Sequence, residues 1–533
     1  MNKKRIIALI ASSLVVFSLV ACKNKGTETN IVNRVLTSEL EISNKGTHPF
    51  KTIDFNLGEK KIDRVSYIDR GIMSLPTDVD GAKLKPIILL HGCHDNDNIK
   101  RFDTGFTYLT EYLAQNGYLA ISLDINAAYD WKMGDNNEYR VVPVMVDNFI
   151  NSLTKANEGE NIFGTDLSNK IDLKNISLMG HSTAGEIIFT IAEQQKEKGV
   201  EIKSLLALAP TNNSVEENFK TDVKNIAIVV PELDGYVVSL DGLNIYEELS
   251  LDNNYEVLSS IILKNANHNY FSREVERNDA EMTGKDISNQ LSRVEQENFL
   301  KDFMVSYYNT VLLNEIEGSP FDVNLSNIVK INGYDIVSSI KTNKYKSLVN
   351  IVDTKAFELE NVDADIVVDS PVAPDDNIKG ANTPYTGKKK VHLLNVKWNS
   401  PNGEISFNPE VSNLKEFRAL SIRLMVEGGT ELNPEKEAQG FTIELEDKNG
   451  ARSSLKIDKE SNLAFYPKGI MDKIDWGDGS EIKYFWSDIT PFSNIKIPLD
   501  SFNNIDLSDV VRISIKFNET ESGSLLFKEF GVN

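Results

Sequence analysis

From about residue 50 to 318, short apolar runs alternate with stretches of helical periodicity. The run Pro86-Ile87-Ile88-Leu89-Leu90 is long enough for a strand buried on both faces, as parallel sheets require. Phe106, Leu109 and Leu113 then recur at helical spacing, Gly117 stands where a helix stops, and Tyr118 to Leu123 reads as the next strand. Further strands are predicted at Asn175–Met179, Ser204–Leu208, Asn225–Val230 and Ser259–Lys264, with a helix over Val294–Leu313. Past residue 318 the helical signal fades, and Pro371, Pro374, Gly380, Pro384 and Gly387 mark a linker-like stretch. Beyond it the alternation is strict: Phe441, Ile443 and Leu445 against Thr442, Glu444 and Glu446, and Val511, Ile513, Ile515 and Phe517 against Arg512, Ser514 and Lys516. Each is a half-buried strand. Similar runs at Leu394–Trp398, Ile422–Val426 and Ile495–Leu499 extend the pattern. The expected architecture is α/β, a doubly wound and mostly parallel sheet, followed by an all-β, jelly-roll-like sandwich.

The start of the chain has another texture. Lys3, Lys4 and Arg5 precede an apolar run from Ile6 to Ala21 that contains Ser12, Ser13 and Ser18, too short and too polar for a membrane span. Leu19-Val20-Ala21-Cys22 resembles the lipobox of bacterial lipoproteins. That resemblance implies cleavage before Cys22, lipid attachment to its sulfur, and anchoring on the extracytoplasmic face of a membrane. The expected organisation is a signal peptide at 1–21, a polar tether at 22–49, a catalytic domain at 50–318, an extension at 319–380 with no function assigned, and a β-sandwich at 381–533.

Composition narrows the chemistry. With 533 residues and a net charge of −22, the chain repels phosphate backbones, and nucleic-acid binding is not expected. Cys22 and Cys93 are the only cysteines, too few for a disulfide framework or a four-thiolate metal site. Any reaction must use other side chains.

Ile176 to Ile188 reads as an apolar strand, a tight turn Gly180-His181-Ser182-Thr183-Ala184, and the start of an apolar helix. A serine on so sharp a reversal needs small neighbours two positions away on each side, and the turn exposes its hydroxyl at the sheet edge. The serine needs an imidazole to take its proton and a carboxylate to orient that imidazole. In such a site the acid and then the histidine follow the serine, which leaves His268 and His392 of the six histidines. His268, in Asn267-His268-Asn269 after the run Ile261-Ile262-Leu263, is the choice, since His392 belongs to the sandwich. For the acid, Asp234 in the turn Asp234-Gly235 is favoured over Glu232 and Asp241. Backbone N–H groups of Thr183 and of Cys93, which follows a His91-Gly92 turn, are the candidate oxyanion donors.

These segments together resemble the α/β-hydrolase superfamily, and within it secreted cutinase-like and acetylhydrolase-like esterases. The resemblance implies carboxylic-ester hydrolysis through an acyl-enzyme on Ser182, without metal or other cofactor, on a small or polymeric ester. The reading of another class is a catalytically silent lipoprotein that binds a glycan or polymer through its sandwich. Two weaker features remain. Asp95 with Asp97, and Asp472, Asp475 and Asp478, are carboxylate groups of the kind calcium takes, and Trp398, Trp476 and Trp486 are aromatics that could stack on sugars.

Overall fold

The computed structural model describes residues 31–533 except 33–35, 43–45, 80–82, 95–99, 130–136, 214–220, 326, 370–390, 428–429, 435–436, 466–471, 476–480 and 485–490. Its largest sheet has eleven strands. In chain order these are β1 (Thr37–Leu40), β2 (Phe50–Ile62), β3 (Val65–Pro76), β4 (Pro86–Leu90), β5 (Leu119–Leu123), β6 (Ile176–His181), β7 (Ile202–Leu208), β8 (Asn225–Pro231), β9 (Val257–Leu263), β10 (Asn327–Ile331) and β11 (Tyr334–Lys341). Across the sheet they run β1-β10-β11-β9-β8-β7-β6-β4-β5-β3-β2. The six from β9 to β5 are mutually parallel. The antiparallel β2–β3 hairpin borders β5, and β11 with β10 borders β9 on the other side.

The side-chain period of two explains the central layering. Ile88 and Leu90 of β4 enter one apolar core with helices α2 (Glu138–Asn157), α3 (Thr183–Glu197) and α4 (Gly242–Leu249). Ile87 and Leu89 enter the opposite core with α1 (Thr107–Gln115) and α5 (Arg293–Leu313). Helix α5 starts at a capping box, in which Ser292 and Glu295 satisfy each other's backbone N–H groups.

The structure corrects the expected fold class. Among the described residues the chain is mostly β, with 36% in strands against 24% in helices, five of them α-helices, and with large mixed and antiparallel sheets. It is not the helix-rich, doubly wound architecture that the apolar runs predict and the α/β-hydrolase resemblance implies. The reason lies at the sheet edges: the apolar-run criterion finds strands buried on both faces but passes over half-exposed ones. Phe50–Ile62 carries Lys51, Asp54, Asn56, Glu59, Lys60 and Lys61 and still pairs along nearly its whole length with β3.

Two six-stranded sheets, built from strands beyond residue 341 except for Ile31–Val32 at the edge of one, share one apolar core that draws Ile443, Leu455 and Ile515 from one sheet and Leu394, Ile422 and Phe527 from the other. The extension at 319–380 supplies β10 and β11 to the large sheet and Phe357–Glu360 and Asp363–Asp369 to the two smaller ones. Part of the expected tether is also strand: β1 pairs with β10, and Ile31–Val32 pairs with Ser454 and Leu455.

A buried ionic seam joins α4 and the large sheet to the sandwich. Glu247 of α4 receives Arg423 and Lys528, and Lys341 of β11 lies 3.5 Å from Glu529. The Arg423 guanidinium also lies over the rings of Tyr246 and Phe492, 4.9 and 5.7 Å from their centroids.

Candidate active site

Ser182 links the end of β6 to the start of α3 at φ 58° and ψ −128°. A non-glycine residue there costs roughly 1–3 kcal/mol, which its surroundings must supply. The Ser182 N–H donates to the Leu208 carbonyl at 2.8 Å, and its carbonyl accepts from the Gly185 N–H at 2.8 Å. The turn closes only because its neighbours are small. A Cβ on Gly180 would lie 2.2 Å from the Ala184 carbonyl oxygen. Gly92 approaches from the loop after β4, where a Cβ would lie 2.8 Å from Ser182 Cβ and 3.4 Å from its Oγ.

His268 and Asp234 follow the adjacent strands β9 and β8. The Asp234 Oδ1 accepts from the N–H groups of Tyr236 and Val237 at 2.9 and 2.7 Å. Its Oδ2 lies 2.8 Å from His268 Nδ1. A carboxylate can only accept, so Nδ1 carries the proton and Nε2 is left as the basic nitrogen. Both side chains are buried. Burial alone would lower the His268 pKa, but the charge and hydrogen bond of Asp234 outweigh it and hold the pKa above the ordinary value. The Tyr236 ring, itself 38% exposed, meets the His268 ring edge-on at 5.5 Å.

His181, immediately before the serine, donates from Nε2 to the His268 carbonyl at 3.1 Å, and the two rings lie 4.5 Å apart. Burial, then the neighbouring His268, holds the His181 pKa well below its usual value. A neutral ring therefore supports the basic one.

Thr183 opens α3, and Cys93 follows Gly92 in the loop that packs on Ser182. His91 fixes that loop by donating from Nδ1 to the Gly92 carbonyl at 2.9 Å and accepting the Ile125 N–H on Nε2 at 3.0 Å. Of the competing acids, Glu232 accepts the Asn265 N–H and Asp241 accepts the Ser239 hydroxyl. It is Asp234 that meets His268.

Sequence reasoning missed Glu186. It lies buried in the first turn of α3 and accepts from Tyr139, Thr211 and the Asn213 N–H at 2.7, 2.7 and 3.0 Å. Its only sequence signal is a carboxylate in an otherwise apolar helix start.

Trp398 is a core residue, 2% exposed and stacked on Phe517 at 4.3 Å, so it offers no platform to a sugar. His392 lies exposed on the sandwich strand Val391–Trp398. Cys22, Asp95, Asp97, Asp478, Trp476 and Trp486 lie outside the described residues, and Asp472 and Asp475 fall in a described short strand. Among the described residues, no helix is long and apolar enough to cross a membrane, and no group of three or more His, Cys, Asp or Glu could hold a metal ion. No protein-family model matches the chain, and no curated protein matches it.

Proposed function

We propose that this protein is a serine hydrolase of carboxylic esters, working through Ser182, His268 and Asp234. The observation that carries the reading is the 2.8 Å contact between Asp234 and His268 Nδ1, with the histidine seated against the residue that precedes a strained, glycine-flanked serine. Ser182 Oγ adds to the ester carbonyl carbon as His268 Nε2 takes the hydroxyl proton. Negative charge collects on the carbonyl oxygen, which the N–H groups of Thr183 and Cys93 stabilise. The intermediate collapses, the alcohol leaves with the proton from His268, and an acyl-serine remains. Water, deprotonated by the same nitrogen, then releases the acid and restores Ser182.

The test is covalent labelling of the purified chain by a fluorophosphonate, read as an intact-mass shift, beside hydrolysis of a panel of soluble esters. Ser182→Ala is expected to abolish labelling and to lower turnover on the order of a millionfold, as loss of such a nucleophile does. A folded wild type that neither labels nor hydrolyses any ester would overturn the reading and favour binding through the sandwich.

Leu19-Val20-Ala21-Cys22 after the basic start supports a second part of the proposal, an exported protein anchored by lipid on Cys22. Metabolic labelling with an alkynyl fatty acid should mark the wild type and not Cys22→Ser. Equal labelling of both would end it.

A further inference from the structure

Asp279 lies outside every motif and is completely buried. It opens a short turn, Asp279–Met282, after the base loop. Among the described residues no lysine or arginine forms an ion pair with it; three amides hold it instead. Its Oδ2 accepts the N–H of Gly235 at 2.8 Å and of His268 at 2.9 Å, and its Oδ1 accepts the N–H of Asn269 at 2.9 Å. Gly235 is the residue after Asp234, so one carboxylate fastens the loop of the acid to the loop of the base. The fit is close, for a Cβ on Gly235 would lie 2.0 Å from the Asp279 carbonyl oxygen. The rest of the base loop is fixed from other sides. Gln296 exchanges two hydrogen bonds with the backbone of Asn267, and His181 holds the His268 carbonyl.

A buried carboxylate is costly unless donors satisfy it. Burial and the charge of Asp234 raise the pKa of this carboxyl, while three amides pointing at its two oxygens favour the anion, and they are amides of the segments whose separation sets the Asp234–His268 contact. We infer that Asp279 is a positioning residue of the proposed Ser182–His268–Asp234 site, fixing the base against the acid and adding its charge to the field at the imidazole. The inference rests on the proposed hydrolase reading.

The charged and titratable groups around His268 are Asp234 from the turn after β8, Asp279 from the turn after the base loop, His181 from the end of β6, His94 from the loop after β4, and the Tyr236 phenol. His181 and His94 are held neutral, chiefly by burial. The two carboxylates favour the imidazolium. Neutralising Asp279 while keeping its shape therefore disfavours it and moves the titration of His268 to lower pH.

The experiment compares full-length wild type, Asp279→Asn and Asp279→Ala in three measurements: fluorophosphonate labelling rate from pH 5 to 9, thermal unfolding, and the His268 titration followed by NMR with His268→Gln for assignment. Asp279→Ala is expected to lower the labelling rate about a hundredfold, the scale of misplacing a catalytic group by an ångström. Asp279→Asn, isosteric and with one acceptor oxygen left, is expected to cost about tenfold and to lower the His268 midpoint by about half a pH unit. The asparagine variant tests the charge even where the alanine variant does not fold. A folded asparagine variant with wild-type labelling and an unmoved His268 midpoint would refute the inference. A wild type that does not label would instead remove the hydrolase reading, and the His268 midpoint would then decide on Asp279 alone.

Discussion

At the scale of single residues, the site depends on which form each buried group takes. In the proposed reaction His268 must be neutral to accept the serine proton, and Asp234 holds its pKa above the ordinary 6.5. Activity is then lost as pH falls through that raised value, so the acid limb of the pH–rate profile is expected above pH 6.5. An acid limb below that point would show that Asp234 does not govern the base. Asp241 makes a separate prediction. Burial, followed by the charges of Glu186 and Asp234, pushes its pKa up to about 6 from 3.8, against the hydrogen bond from Ser239. The folded state thus binds this proton more tightly than the unfolded chain. Its stabilising contribution is complete below about pH 3.8 and is lost as pH rises through about 6. Asp241→Asn is accordingly expected to stabilise the protein by about 1–3 kcal/mol at pH 8 and by much less at pH 4. Denaturant melts at the two pH values check it, and an equal effect at both would refute it. Gly92 makes the third. Because a methyl there would lie 2.8 Å from Ser182 Cβ, Gly92→Ala should lower the labelling rate by more than tenfold and cost about 1–3 kcal/mol of stability, and a wild-type labelling rate would refute it.

At the scale of elements, legibility followed burial. The central strands were readable because apolar runs such as Ile87 to Leu90 and Ile226 to Val230 bury both faces, and the predicted Val294–Leu313 helix coincides with Arg293–Leu313. The edge strands were not. Phe50–Ile62 alternates too loosely among lysines and acids, and Thr37–Leu40 is too short to carry a period. In the candidate site, the strand–turn–helix around Ser182 fixed the serine, and chain order pointed to His268 and Asp234. What chain order could not supply was Asp279 and His181 as supports, because a carboxylate that bonds only to backbone amides leaves no partner residue to read. The β6–α3 junction carries an expectation of its own. Gly180→Ala forces a methyl into the Ala184 carbonyl and should destabilise the whole sheet by a few kcal/mol, about the scale of severe overpacking. A thermal melt unchanged from wild type would contradict that.

At the scale of the molecule, the two bodies are not beads on a string. Three cations, Lys341, Arg423 and Lys528, meet Glu247 and Glu529 in the seam. Removing one partner of such a set leaves buried charge uncompensated, and Arg423→Ala is expected to cost about 3–5 kcal/mol. The same logic bears on truncation: a chain ending at residue 369 would keep Glu247 without Arg423 and Lys528 and Lys341 without Glu529, and it should be less soluble and melt lower than the full protein. A truncated chain as stable as the whole would mean that the seam contributes nothing.

The strand at Ile31–Val32 lies beside Ser454 and Leu455, while Thr37–Leu40 lies beside Asn327–Ile331. In terms of time, the first described segment to leave a ribosome is among the last to find its place, because its partners are made hundreds of residues later. Until then it is an unpaired edge, open to other strands. Loop closure over so long a stretch of chain is slow. Completion of the fold at these two strands is therefore timed by the arrival of residues 327–331 and 454–455.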